Sequence, residues 1–244
     1  MASKTVSVMA ASKTTFSYDF YGSKPTDLIY QGDAYFPSDT TYLRLTKTDS
    51  SGTPEQERFG RIIYTEPIQL WKPDAQADFD TTIRFILKPS SGRHTPADGL
   101  VFFMVPLDYT FPTETSGGNL GIYGGPDCPS VFAVEFDIFA NDEWDPNFPH
   151  VGINIESRAS QAVTQIPQSF IGKEVELKIS YTAATGVISA VASDGKQRVE
   201  ASYECGLKDV LQQQVQVGLA GSTGEFAAKH DVSHWDFHSA LPEN

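Results

Sequence analysis

Glu174 to Tyr181 alternates polar and apolar residues without a break, which puts Val175, Leu177 and Ile179 on one face. A period of two marks a β-strand with one wet side. Comparable short runs recur along the chain: Thr15–Phe20, Tyr42–Leu45, Arg61–Tyr64, Asp78–Leu87, Gly99–Pro106, Val131–Phe139, His150–Glu156, Val187–Ser193, Gln197–Tyr203, Val215–Ala220 and Val232–Ser239. Turn-forming stretches punctuate them, at 49–52, 89–92 and the Asp194-Gly195 pair, the last a hairpin signal. Only Leu207–Leu211 reads as a short helical turn. With no linker and no repeat, the economical reading is one all-β antiparallel sandwich of the jelly-roll kind. A chain of 244 residues is long enough for one such domain. Residues 1–15 are polar and weakly patterned. They read as an N-terminal extension, disordered or artificial in origin, to a single domain over 16–244.

Composition narrows the partners. The formal net charge is −13, which disfavours nucleic acid because phosphate repels an acidic surface. No apolar run approaches the ~18–20 residues of a membrane span, so membrane insertion is not expected. The first fifteen residues lack the apolar segment of a secretory signal, which reads as a mature form or a cytosolic chain. There is no Asn-x-Ser/Thr sequon. Two cysteines, Cys128 and Cys205, form no metal-ligand spacing and leave their pairing open.

The chemistry concentrates in residues 134–150. Glu135 and Asp137 sit two apart on an apolar strand, so they share a face roughly 6–7 Å apart. Two like charges there repel unless a cation or a proton neutralises them. Asn141, Asp145 and His150 follow within thirteen residues of Asp137. A transition-metal site takes carboxylates and an imidazole, and Glu135, Asp137, Asp145 and His150 offer that set. A calcium site takes only oxygens, available from Asp137, Asp145, the Asn141 amide and the Phe139 carbonyl. Elsewhere, small-residue loops at 115–119 and 221–226 offer backbone N–H groups to a ligand, although ordinary turn chemistry explains each one taken singly.

Several segments together resemble the legume lectin family. Val134-Glu135-Phe136-Asp137-x-Phe139-x-Asn141, Trp144-Asp145-Pro146 and His150-x-Gly152-Ile153 are similar to its metal-binding segment. Ala97-Asp98-Gly99-Leu100 resembles its sugar-binding aspartate motif, and Gly117-Gly118-Asn119-Leu120-Gly121 its glycine loop. Gly60-Arg61-Ile62 and the closing 233–237 also fit, so the likeness runs from about Phe16 to Leu241.

The resemblance implies Mn²⁺ and Ca²⁺ at the two ligand sets, with Asp137 and Asp145 shared and Ser160 touching the manganese shell through water. It implies a cis peptide at Ala97–Asp98. It assigns a sugar site in which Asp98 accepts hydroxyl hydrogen bonds, Asn141 and the Gly118 N–H donate, and Phe139 lies against the sugar ring. Gly224, Glu225 and Phe226 close the far side. The short segment from Ser222 to Trp235 is similar to the mannose/glucose-binding branch. The expected partners are therefore mannose- or glucose-containing glycans and glycoproteins. The resemblance further implies a homodimer or homotetramer, and a secreted or vacuolar location.

Two other functions are open at this level. Related sandwiches include glycosidases with a Glu-x-Asp-x-Glu run, but the third position here is Phe139, followed by Ala140, so an enzyme is not expected. A defence or storage protein that has lost sugar binding would be expected to lose ligand residues, and all are present.

Overall fold

The computed structural model describes residues 12–37, 41–89 and 96–242. The strands in chain order begin with β1 (Lys13–Asp19), β2 (Leu28–Gly32), β3 (Leu43–Arg44), β4 (Phe59–Tyr64), β5 (Ile68–Gln69), β6 (Trp71–Lys72) and β7 (Ala75–Gln76). They continue with β8 (Asp78–Pro89), β9 (Gly99–Pro106), β10 (Asp127–Asp137), β11 (His150–Ser157) and β12 (Ala162–Gln165). The last are β13 (Glu174–Thr182), β14 (Val187–Ser193), β15 (Arg198–Glu204), β16 (Gln214–Ser222) and β17 (Ala228–Ala240). All pairings are antiparallel. One sheet runs β1-β17-β8-β13-β14-β15 and the other β12-β11-β10-β9-β16-β4-β2.

The main core lies between the sheets. Phe79, Ile83, Phe85 and Phe237 from one sheet meet Phe102, Phe132, Val134 and Phe136 from the other. The Phe85 and Phe136 rings contact edge to face at 5.0 Å, a favoured aromatic geometry. A second apolar cluster, containing Val101, Phe103, Leu120, Ile122, Tyr123 and Ala133, covers the opposite face of β9 and β10. Both faces of these two strands are therefore covered, and β9 is buried at every residue. Because Phe132, Val134 and Phe136 point into the main core, alternation turns Glu135 and Asp137 toward the outer face, beside the second cluster.

Several boundaries differ from the sequence reading. β10 ends at Asp137 rather than Phe139, because the Asp137 carboxylate accepts the Phe139 N–H at 2.7 Å and turns the chain out of the ladder. β16 extends through Ser222, which pairs with Gly99. The short strands β2, β5, β6, β7 and β12 are additions to the expected set. The Asp194-Gly195 signal does join β14 to β15, with the Asp194 carboxylate accepting the Lys196 and Gln197 N–H groups. Leu207–Asp209 forms a 3-10 turn. The expected extension falls mostly on residues 1–11, outside the described residues; Lys13–Thr15 pair with β17. The turn at 89–92 also lies largely outside them. Cys128 and Cys205 are free thiols. Among the described residues, no helix is long and apolar enough to cross a membrane.

Phe237 packs on Phe16, Phe79 and Phe102 across three strands. Phe237→Ala should lower unfolding free energy by about 3–5 kcal/mol. Urea denaturation checks it: the midpoint should fall with little change in slope.

Candidate metal and carbohydrate site

Register brings the acidic residues together. Asp137 faces His150 across the β10–β11 ladder, and Glu135 faces Gly152. Glycine is required at 152, since a Cβ there would lie 2.5 Å from Glu135 Oε1 and closer still to Ser160 Oγ. The Ser160 hydroxyl donates to Glu135 Oε1 at 2.6 Å. The same oxygen lies 3.1 Å from His150 Nε2. On the other side of the ring, His150 Nδ1 is 3.2 Å from the Phe148 carbonyl, which can only accept. Nδ1 therefore carries a proton, and in the neutral tautomer the Nε2 lone pair points at a carboxylate. That arrangement calls for a cation, either a proton on Nε2 or a metal ion.

Asp145 completes the group. Ligand atoms of Glu135, Asp145 and His150 all lie within 4.8 Å of one another. Asp145 Oδ2 accepts the Asn141 N–H at 2.9 Å, which closes the loop after β10 back onto the site. Asp137 is beside this trio but not within it, its Oδ1 engaged with the Phe139 N–H. Glu135, Asp137 and His150 are almost wholly buried.

Electrostatics follow from that burial. Desolvation, then the Glu135 and Asp145 charges, hold Asp137 well above the ordinary aspartate range. Burial also pushes Asp145 up to about 6, against the lowering effect of the Asn141 N–H bond. For His150, burial acts downward, but the hydrogen bond and charge of Glu135 outweigh it and raise the imidazole. The donor set of carboxylates, an imidazole and amide or carbonyl oxygens fits divalent cations well.

The predicted sugar-site residues lie next to this group. The Ala97–Asp98 peptide is cis, as expected. Asp98 is fixed by its own backbone: its N–H donates to Ser222 O at 3.0 Å and its carbonyl accepts the Ile138 N–H at 2.9 Å. Its side chain is buried, Oδ2 has no partner among the described residues, and burial with the Glu57 and Asp145 charges pushes it up to about 7. The Asn141 side-chain oxygen is likewise buried and unpartnered.

Two glycines frame these oxygens. A Cβ on Gly118 would lie 2.5 Å from Asn141 Oδ1, and one on Gly224 would lie 3.0 Å from Asp98 Oδ2. A side chain at 118 would displace Asn141 or Trp144, and one at 224 would crowd Asp98 and the Gly117 backbone. Glu225 is exposed at the rim, where its carbonyl accepts the Gln56 side-chain amide. The Phe139 and Phe226 rings, both half-buried, stand 5.6 Å apart as an aromatic wall. Sequence reasoning gives Phe226 only a backbone role; here its ring joins Phe139.

Sequence reasoning also missed Gln56 and Glu57, which tie the 223–226 loop down; the Glu57 N–H donates to the Gly224 carbonyl at 3.2 Å. They sit far away in sequence and outside any motif. A cavity of about 450 Å³ at Asp74, Ala183 and Leu241 is lined by none of the buried carboxylates.

Comparison with known proteins now places the chain. The legume lectin domain profile matches residues 13–244. Agglutinin-2 of Cladrastis kentukea is 37% identical over 96% of this chain and 83% of its own. A mannose/glucose-specific lectin of Centrolobium tomentosum is 35% identical over 93% of this chain and 96% of its own. The solved structure of winged bean acidic lectin complexed with methyl-α-D-galactose superposes with TM-score 0.86 at 32% identity, covering 95% of this chain and 100% of that one. These relatives are lectins, so the class is a carbohydrate-binding protein without catalytic activity. The chain belongs to the legume lectin family.

A pH test follows from the buried acids. The ordinary aspartate value is 3.8, whereas Asp145 sits at about 6 and Asp98 at about 7 in the folded chain. Between those values these carboxyl groups bind more protons in the metal-free fold than in the unfolded chain, which makes stability fall as pH rises. Buried His230, lowered to about 4, acts the other way below 6.5 and offsets part of that fall. His150 acts in the same direction as the carboxyl groups, its pairing fully present below 6.5 and lost as pH rises through its raised folded value. Carboxylates held low, such as Glu176, titrate beneath this window. Metal ions reverse the trend because they take deprotonated ligands. EDTA-treated protein should therefore denature at a higher urea concentration at about pH 5 than at about pH 7.5, and Asp98→Asn should flatten the dependence. A midpoint that climbs from pH 5 to pH 7.5 without metal would contradict this assignment.

Proposed function

We propose that this lectin binds mannose- or glucose-type glycans in a calcium- and manganese-dependent manner. The observation that carries the reading is the pair of buried, unpartnered acceptors, Asp98 Oδ2 and Asn141 Oδ1, set against two glycines where a side chain would crowd them. Such acceptors cost about 1–3 kcal/mol each unless a cation or a ligand hydroxyl satisfies them. Glu135, Asp137, Asp145 and His150 would hold manganese. Asp137, Asp145, the Asn141 side-chain oxygen and the Phe139 carbonyl would hold calcium. Bound, the two ions supply positive charge that neutralises the clustered carboxylates and steadies the loop carrying Asn141.

The protein's own groups then do the recognition. Ionised Asp98 accepts from two hydroxyls, the strong charge-assisted kind of hydrogen bond. The Asn141 amide and the Gly118 N–H donate. Phe139 packs on the apolar face of the ring, while Gly224, Glu225 and Phe226 form the opposite rim. The preference for an equatorial 4-hydroxyl rests on loop length. The 223–226 segment is held directly over Asp98, with Gly224 against the Gly117 Cα and Gln56 and Glu57 fastening it from behind. An axial hydroxyl, as in galactose, leaves one polar group unmatched. A shallow single site binds weakly, so paired or tetrameric assembly would supply working avidity.

Two measurements test this. Asp145→Ala should abolish binding of both metals, read by atomic spectroscopy, and sugar binding with them. Titration calorimetry with calcium and manganese present should show methyl α-mannoside binding about ten- to a hundredfold more tightly than methyl α-galactoside. Equal or tighter galactoside binding would favour a galactose specificity, the ligand in the winged bean complex, and leave the metal assignment standing.

A further inference from the structure

Arg158 joins the two loops that carry the ligand-facing groups. It follows β11, where its backbone N–H donates to the Pro126 carbonyl at 3.2 Å. Its guanidinium carbon lies 3.6 Å from the centroid of the Trp144 ring, a cation–π stack. Its Nη1 donates to Asn119 Oδ1 at 3.2 Å, and the Asn119 amide nitrogen in turn donates to Glu114 O at 3.4 Å. Trp144 itself abuts the glycine loop, since a Cβ on Gly118 would fall 2.7 Å from Trp144 Cζ2. One side chain thus grips Asn119, next to Gly118, and Trp144, three residues from Asn141.

The Arg158 charge lies near enough to Asp145 to lower that carboxyl group's proton affinity. Among the described residues, no carboxylate lies close enough to form an ion pair with Arg158, and its Nε is buried without a partner. That desolvation is unfavourable and must be offset by the stack and the Asn119 bond. The flat fork of arginine can do both at once, whereas the point charge of lysine cannot.

We propose that Arg158 is a positioning residue for carbohydrate binding, fixing the Gly118 N–H relative to the Asn141 amide by clamping the glycine loop to Trp144. The proposal rests on the reading that Gly118 and Asn141 face the sugar. The glycine loop needs such a clamp. Gly117 adopts a left-handed φ of 61°, and two successive glycines give the backbone wide freedom. Holding it before the ligand arrives removes an ordering penalty from binding.

The test uses the full chain with calcium and manganese present. Arg158→Met keeps apolar bulk over Trp144 but removes the charge and the fork; Asn119→Ala removes the acceptor of that fork together with the Asn119 amide's bond to the Glu114 carbonyl. Methyl α-mannoside and methyl α-galactoside are titrated calorimetrically, and amide hydrogen exchange is followed over 117–121. Arg158→Met should weaken binding of the preferred glycoside about tenfold and speed exchange in 117–121, with β13 to β15 unchanged. Asn119→Ala should do the same in part, and the double variant should lose less than the sum of the two single losses, the non-additivity of a shared contact. Arg158→Lys should restore little. Unchanged affinity with unchanged exchange in Arg158→Met, or fully additive losses in the double variant, would overturn the clamp. A wild-type protein that binds neither glycoside would overturn the sugar-site reading itself, and the proposal with it.

Discussion

Everything in the functional end of this protein depends on burying like charges on the outer face of β10. Glu135 and Asp137 are almost wholly removed from water beside Tyr123, Leu120 and Val101. Isolated carboxylates do not survive that, so each has a local remedy. Glu135 takes a hydroxyl from Ser160 and faces an imidazole whose other nitrogen is committed to Phe148. Asp137 takes the Phe139 N–H. Burial first, and then the surplus of negative charge that remains, raise the proton affinity of Asp137 and Asp145. A group that binds protons above their ordinary range for want of counter-charge is also a group prepared for a divalent cation.

The same strand couples this surplus to the sugar side. Asp137 and Ser222 pair with Gly99 from opposite sides, and Gly99 follows Asp98 directly. The Asp98 carbonyl accepts from Ile138, one residue beyond Asp137. Asp98, the acidic loop and the 223–226 loop therefore share one short stretch of backbone. A shift in the strand end at Asp137 would move the buried carboxylate of Asp98 as well. The metal dependence proposed for sugar binding would, on this geometry, need no long pathway.

The sequence disclosed the parts that obey a period or a motif. β9 and β14 have the boundaries expected from the sequence, the first as a continuous apolar run and the second by alternation. The shared face of Glu135 and Asp137 follows from spacing alone. Two-residue strands such as β5, β6 and β7 cannot display a period, and β2 breaks it with Ile29 exposed at a sheet edge. The end of β10 is not legible in the pattern because a side chain, Asp137, competes with the ladder for the Phe139 N–H, and apolar patterning carries no sign of that. Gln56, Glu57 and Arg158 are invisible for another reason. Their contacts join segments brought together only by folding, such as Gln56 to Glu225 and Arg158 to Asn119.

That division suggests where change is tolerated. The buried acids and His150 are held by ladder register on two central strands, so altering them disturbs both the charge balance and the strand ends. The rim is built differently. Ser222 and Thr223 are anchored by Gly117 and Glu55, yet Glu225 and Phe226 project beyond those anchors with the half-buried Phe139 ring beside them. Residues there can change length and shape without disturbing Asp98, whose position is set by Ser222 and Ile138. On the proposed reading, metal affinity and sugar preference would rest on different parts of one site. The first is fixed by the sheet and the second is left to the loop. A relative with 32% identity superposes over nearly the whole chain while its solved complex holds a galactoside, the outcome expected if fold and cation cradle constrain the sugar only through the backbone that carries Asp98.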